Sequence, residues 1–311
     1  MPVYRESGSL EAVIDDVLGA SRDMDVETEL ILVDDGSPDK TWEIVERLAS
    51  SHREIRAARL SRNFGKESAV AAGLELALGD AVIVMDADGQ HPPALLPEMI
   101  NAWRAGGVDI VEGVKIDRGS ETLFSKAGAE LFYLIWTRLS GFEMRGASDY
   151  KLLSRRVLDA YLEMGERAVF FRGMTAWLGF TRVQIPFEVP ERASGESSWS
   201  VMRRLRLAVN GISAFSSFPL HLVTLAGIIF FLFSLTFGGY TLILQITGRS
   251  VSGFATVILL LLVIGSLLMI SLGIIGIYLA RIYDELKGRP RYIIAKVLGA
   301  AEVVPISNKN V

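Results

Sequence analysis

The sequence contains no cysteine. That one absence excludes disulfides, zinc–thiolate sites, iron–sulfur clusters and a thiol nucleophile. Histidine is nearly as scarce. His52, His91 and His221 are the only three, too few for a multi-histidine metal site. A basic excess is missing too: Lys plus Arg is 32 against 36 for Asp plus Glu, a formal net charge of −4. No overall positive field exists to hold nucleic acid, so none is expected as a partner. Three signatures of other folds are also absent. No two glycines are separated by a single residue, so G-x-G-x-x-G does not occur. Gly65-Lys66 is followed by Glu67 with no P-loop before it, and there is no G-x-S-x-G.

Charge is also missing locally. No Asp, Glu, Lys or Arg occurs from Leu207 to Gly248, nor again from Ser250 to Ala280. A spanning helix needs about 20 apolar residues, and each stretch supplies one, at 221–246 and 254–280. Runs such as Gly227-Ile-Ile-Phe-Phe-Leu-Phe are apolar on every face, which a helix buried on one side of a soluble core does not need. Arg203, Arg204 and Arg206 precede the first span. Arg281, Lys287, Arg289 and Arg291 follow the second, while the connecting loop carries only Arg249. The positive-inside rule then puts both chain ends in the cytosol. Polar residues begin at Tyr4-Arg5-Glu6, so no signal peptide is expected. Between the soluble part and the first span, Met202, Leu205, Val209, Ile212 and Phe215 recur at helical spacing behind the arginines. This pattern predicts an amphipathic helix in the membrane interface.

Residues 1–200 alternate β-rich runs with helical patterns. Glu29–Asp34, Ile55–Arg59, Ala81–Met85 and Ile110–Val114 read as strands. Gly8–Ser21, Lys40–Ser51, Gly65–Leu78 and Pro93–Ala105 read as helices. The alternation predicts an α/β fold with a mainly parallel sheet, whose ligands bind beyond the strand C-termini. Two acidic clusters stand there: Asp34-Asp35-Gly36-Ser37 and Asp86-Ala-Asp88-Gly89-Gln90. Carboxylates on alternate residues at a strand end can converge on a hard cation. Mg²⁺ takes one or two of them and fills its shell with phosphate and water oxygens. Asp and Gly also make good turns, but two such clusters on neighbouring strand ends favour a nucleotide–metal site.

These segments carry a family resemblance. Pro2-Val3-Tyr4, Val33-Asp-Asp-Gly-Ser37, Ser61-Arg-Asn-Phe-Gly-Lys66, Asp86-Ala-Asp-Gly-Gln90 and Arg145-Gly-Ala-Ser-Asp-Tyr-Lys151 resemble the inverting GT-A glycosyltransferases of family 2. With the apolar hairpin, the chain is similar to the polyprenyl-phosphate glycosyltransferases, namely dolichyl-phosphate mannose synthase and, more closely, the bacterial undecaprenyl-phosphate glucosyltransferases. The resemblance implies a GT-A domain at 1–200, an interfacial helix at 201–218, two transmembrane helices at 219–282 and a cytosolic tail at 283–311. It also implies a multi-pass protein of the bacterial cytoplasmic membrane. Two departures stand out. The family usually has a full apolar strand before Pro-Val-Tyr, and here only Met1 precedes it, so the first strand should be nearly missing. In Arg192-Ala-Ser-Gly-Glu-Ser-Ser-Trp199, Ser198 replaces the lysine of the family's Arg-x-x-Gly-x-Ser-Lys.

By resemblance, Pro2, Tyr4, Asp34, Asp35, Lys66, Asp86 and Ala87 would hold a UDP-sugar, with Asp34 and Asp35 on the uracil and ribose. Asp86 and Asp88, helped by Gln90, would bind Mg²⁺ or Mn²⁺ against the diphosphate. Asp149 would lie beside the anomeric carbon, as a general base or as a positioning group. Arg145, Arg172, Arg192 and Ser197 would bind the phosphates, since guanidinium matches phosphate bidentately. The partners are then a UDP-sugar (glucose by default), a polyprenyl phosphate, a lipid bilayer and, left open, a second copy of the chain. Rival readings are a GDP-mannose enzyme, an inactive membrane adaptor and a processive polysaccharide synthase. The synthase motif Gln-x-x-Arg-Trp is absent around all five tryptophans.

Overall fold

Short β-branched runs that stop at Asp or Gly become strands in the computed structural model, which describes residues 1–22, 24, 26–116, 137–138, 148–166, 170–188, 216–248 and 253–299. The chain forms two compact units. The first comprises 1–137, 141–198 and 290–311, and the second 138–140 and 199–289. The predicted interfacial helix falls almost wholly outside the described residues, as do Arg145, Arg192 and Ser197.

The first unit runs β1 (Pro2–Val3), α1 (Leu10–Arg22), β2 (Leu30–Asp34), α2 (Thr41–Ser51), β3 (Ile55–Leu60), α3 (Lys66–Leu76) and β4 (Ala81–Val84). A 3₁₀ turn (Pro93–Leu95) leads into α4 (Leu96–Arg104). Then come β5 (Ile110–Lys115), β6 (Lys151–Ser154), α5 (Arg155–Glu163), α6 (Phe171–Trp177) and β7 (Arg182–Phe187). A last strand, β8 (Ile294–Leu298), returns to this unit after the apolar segment. Among the described residues the strands make two four-stranded sheets, in the orders β1-β2-β3-β8 and β4-β6-β5-β7. β1, β2 and β3 are parallel and β8 is antiparallel to β3. β6 is antiparallel to β4 and β5, and β7 is parallel to β5. The sheet predicted to be mainly parallel is therefore mixed. β1 is two residues long, as its sequence implies, and it reaches only Val33 and Asp34 of β2. Residues 28–31 and 81–85 line a cavity of about 560 Å³.

The helices bury one stripe each. In α1 these are Leu10, Ile14, Val17 and Leu18, and in α2 Trp42, Ile44, Val45 and Leu48. Spacing of three to four residues puts each set on one helix face against the sheet. α3 is different. Ala69, Ala71 and Ala72 are buried beside Val70 and Leu74, and small side chains let the helix backbone lie close to β2. Gly73 faces β2 directly, where an added Cβ would stand 3.4 Å from Val33.

The core also contains a buried ion pair. Lys151 Nζ lies 2.6 Å from Glu112 Oε1 and 2.9 Å from Thr175 Oγ1, with Lys151 and Glu112 fully enclosed. Burial pulls the Lys151 ammonium below its ordinary pKa, and the Glu112 charge opposes that shift.

The second unit contains α7 (Phe218–Ile246) and α8 (Phe254–Leu286). Both are long and apolar enough to cross a membrane. Large apolar side chains such as Phe231, Leu232, Leu261 and Leu262 are exposed along them, as in a helix whose solvent is lipid. The hydroxyls of Thr224, Ser266 and Ser271 donate to carbonyls four residues back at 2.8–3.2 Å, which satisfies them inside their own helix.

Breaking one side of the buried pair leaves a lone charge in the core, a loss of about 3–5 kcal/mol. Lys151→Met and Glu112→Gln should each lower the thermal midpoint by about 10 °C. The double variant should lose much less than the sum. Thermal unfolding of the four proteins checks this, and strict additivity would refute the coupling.

Candidate active site

The site begins at the end of β2. Asp34, the last residue of that strand, is fully buried. Its carboxylate accepts the Ser37 N–H at 3.2 and 3.3 Å and pairs with Arg59 Nε at 3.2 Å. Burial raises its pKa, against the pull of Ser37 and Arg59. Gly36 has φ +65°, and an added Cβ would sit 2.6 Å from the Arg62 carbonyl carbon. Only glycine fits this turn. Asp35 accepts the N–H groups of Phe64 at 2.7 Å and Gly65 at 2.8 Å. It thereby fixes the loop that opens α3, whose first residue is Lys66.

Lys66 is the hub. Its Nζ lies 2.7 Å from Asp86 Oδ2 and 2.6 Å from Asp149 Oδ2. Asp149 also takes a two-point grip from Arg172, with Nε on Oδ1 at 2.6 Å and Nη2 on Oδ2 at 2.9 Å. Burial alone would raise the Asp149 pKa. The Arg172 guanidinium and Lys66 ammonium outweigh it and hold the carboxyl well below the usual carboxylate range. Burial would likewise discharge Lys66, but Asp149 and Asp86 keep its pKa above the ordinary lysine value.

Asp86 lies just beyond β4. Its N–H donates to His91 Nδ1 at 2.9 Å, which assigns the ring proton to Nε2. Burial keeps the His91 pKa below its ordinary value, and the ring stacks on Tyr150 with centroids 4.7 Å apart. Asp86 Oδ1 is buried with no hydrogen-bond partner among the described residues. Asp88 Oδ1 accepts the Gln90 N–H at 3.0 Å, around Gly89 at φ +73°. No group of three or more His, Asp or Glu converges as a metal cage among the described residues. Two carboxylates with one orphaned oxygen suit Mg²⁺ or Mn²⁺ whose remaining ligands are phosphate and water.

A cleft of about 290 Å³ gathers these groups. Pro2, Tyr4, Asp35, Lys66, Asp86, Ala87 and Asp88 line it, together with Val3, Glu6, Asn63 and Gly65. Asp149 joins it through Lys66, and Arg172 through Asp149. Gln90 is tied in by its backbone, and Asp34 is enclosed in the turn beneath. Sequence reasoning missed Glu6, Glu67 and His91. Glu67 Oε2 accepts the Phe171 N–H at 2.9 Å, linking α3 to the helix that carries Arg172. Burial pushes its pKa up to about 7. His91 directly follows Gln90, and that adjacency was the one available signal.

Residues 1–162 match the model of the glycosyl transferase family 2. The chain belongs to glycosyltransferase family 2. Its fold is GT-A-like, a mixed sheet with helices followed by two long apolar helices. Over 100% of its length the transferase is 36% identical to the glycosyltransferase sll0501 of Synechocystis sp., covering 98% of that protein. Over 95% of its length it is 33% identical to the SfII prophage-derived bactoprenol glucosyl transferase of Shigella flexneri, covering 96%. Mannosyl-3-phosphoglycerate synthase from Rubrobacter xylanophilus is similar in structure at 17% identity, over 68% of this chain and 70% of that one, with a TM-score of 0.46.

The raised Glu67 pKa has a signed consequence. A carboxyl whose folded pKa exceeds its unfolded one favours folding while protonated. That contribution is lost as pH rises from about 4.5 through about 7. Glu67→Gln keeps an acceptor for Phe171 without the charge. It should raise the thermal midpoint of the transferase by a few degrees at pH 8 and leave it nearly unchanged at pH 4. Equal midpoints at both pH values would contradict the shift.

Proposed function

We propose that this transferase moves glucose from UDP-glucose to undecaprenyl phosphate with inversion, giving a lipid-linked monophosphosugar on the cytosolic face of a bacterial membrane. The observation that carries this reading is the 290 Å³ cleft, where Lys66 joins the Asp86–Asp88 pair to the Asp149–Arg172 pair. The choice of acceptor and sugar is supported by the near-full-length relationship to the bactoprenol glucosyl transferase of Shigella flexneri.

The chemistry rests on charge placement. Asp86 and Asp88, with Gln90 beside them, would hold Mg²⁺ or Mn²⁺, which would neutralise the charge that grows on the departing diphosphate. The walls of the cleft at Pro2, Tyr4 and Asp35 receive the nucleoside. Asp149 is an anion at every physiological pH, since two cations stabilise its charged form. A strongly acidic carboxyl is a poor proton acceptor, so Asp149 works by position and by its field. It favours the positive charge that develops at the anomeric carbon. The acceptor needs no base, because a phosphate monoester is already anionic at neutral pH, with a second pKa near 6. Its oxygen attacks the anomeric carbon from the face opposite UDP. The new C–O bond forms as the bond to the UDP oxygen breaks, and an α-linked donor gives a β-linked product. Holding both phosphates in line supplies much of the rate.

Two membrane-spanning helices would keep the catalytic unit at the surface where the acceptor's polyprenyl chain is embedded, raising its effective concentration. The arginines at 203, 204 and 206 and the cations after residue 280 favour that unit and both termini on the cytosolic side.

The test is a donor panel: each common UDP- and GDP-sugar with undecaprenyl phosphate and the full-length protein in detergent, scored by labelled lipid product. UDP-glucose should give a β-linked product, excess EDTA should abolish it, and Mg²⁺ or Mn²⁺ should restore it. Product from GDP-mannose alone would overturn the choice of donor. No lipid product from any donor would overturn the reading.

A further inference from the structure

The two oxygens of Asp86 have different surroundings. Oδ2 accepts the Lys66 ammonium at 2.7 Å, while Oδ1 is buried with no hydrogen-bond partner among the described residues. A buried carboxylate oxygen left unpaired is unfavourable, and a cation is its natural complement. In a metal-assisted transferase, that complement is the divalent ion of the donor site. Two cations would then share one carboxylate and repel each other across a few ångströms, in a partly buried site where water screens them poorly.

Lys66 is built to stay charged and to move only at its tip. Asp149 and Asp86 both pair with its ammonium, at 2.6 and 2.7 Å. Its backbone is the first residue of α3, pinned by the two N–H groups just before it that Asp35 accepts. The side chain itself lines the cleft and is 42% exposed, so the ammonium has open space to swing into. The cleft is also where a donor diphosphate would lie.

We infer that Lys66 gates the metal site: it competes with the divalent cation for Asp86 and yields that carboxylate only when a nucleoside diphosphate offers it another anion. This inference rests on the metal-assisted reading of the cleft and adds an order to it. Metal and nucleotide bind as a coupled pair, each raising the other's affinity by the same factor. Lys66 adds to the coupling that phosphate oxygens on the metal would supply directly. Without its charge, only that direct part of the coupling is left.

The test measures Mn²⁺ binding by the electron paramagnetic resonance signal of free Mn²⁺, with full-length protein in detergent, with and without UDP. Four proteins are compared: wild type, Lys66→Met, Lys66→Arg and Asp88→Asn. Lys66→Met should bind Mn²⁺ about tenfold more tightly than wild type without UDP, and UDP should tighten it further by a smaller factor than in wild type. In wild type, UDP should tighten Mn²⁺ binding by about tenfold or more. Lys66→Arg keeps the charge and should stay within about threefold of wild type. Thermal unfolding confirms that each variant is folded, and Lys66→Gln replaces Lys66→Met if that variant is not. If Asp88→Asn loses Mn²⁺ while Lys66→Met binds it no better than wild type, gating is overturned and the metal site stands. If Asp88→Asn binds Mn²⁺ as well as wild type, the metal reading fails and gating fails with it.

Discussion

The site depends on one buried carboxylate held between two cations. Asp149 is gripped by the fork of Arg172 and by the Lys66 ammonium, and each partner comes from a different element. Lys66 opens α3, Arg172 lies in the first turn of α6, and Asp149 leads into β6. The ion cluster therefore fixes three elements relative to one another. It also makes Asp149 a permanent anion, because two nearby cations outweigh its burial. That constraint sets the position of Lys66 beside Asp86 and the shape of the cleft.

A second tier of polar contacts supports the first. Lys151 stands two residues after Asp149, and its ammonium reaches Thr175, one turn after Arg172. The Thr175 hydroxyl in turn donates to the Phe171 carbonyl at 2.9 Å. From the other side, Glu67, the neighbour of Lys66, accepts the Phe171 N–H. Thus the residues flanking those that touch Asp149 also tie down the helix that brings Arg172. Such buried polar networks are costly when half satisfied and rigid when complete. Here the rigidity holds a fixed charge in place, which is what the proposed electrostatic stabilisation of the transition state would require.

Much of this was legible in the sequence, and the reasons are physical. Apolar runs ending in Asp-Asp-Gly and Asp-Ala-Asp-Gly mark strands whose C-termini open on a site, and Asp35, Asp86 and Asp88 do line one cleft. Charge-free stretches of that length fit membrane-type helices, and α7 and α8 occupy them. The mixed character of the sheet was not legible, because strand direction is set by pairing partners far away in the chain: β6 runs against both β4 and β5. β8 was hidden for a similar reason. Ile294–Leu298 is too short to stand out after a long apolar helix, and its partner β3 lies more than 200 residues earlier. Glu67 and His91 carry no local signature. Their roles come from Phe171 and Tyr150, which only tertiary structure brings to them.

The most direct measurement is the ratio of wild-type to Asp149→Asn transfer rates onto undecaprenyl phosphate as a function of pH. An anion acting by its charge and position should be missed equally whether or not the acceptor has ionised. The expected ratio is about 100-fold or more and stays level from pH 6 to pH 9. A ratio that collapses toward one above pH 8, where the lipid phosphate is already a dianion, would show that Asp149 removes a proton and would contradict its role as a fixed charge.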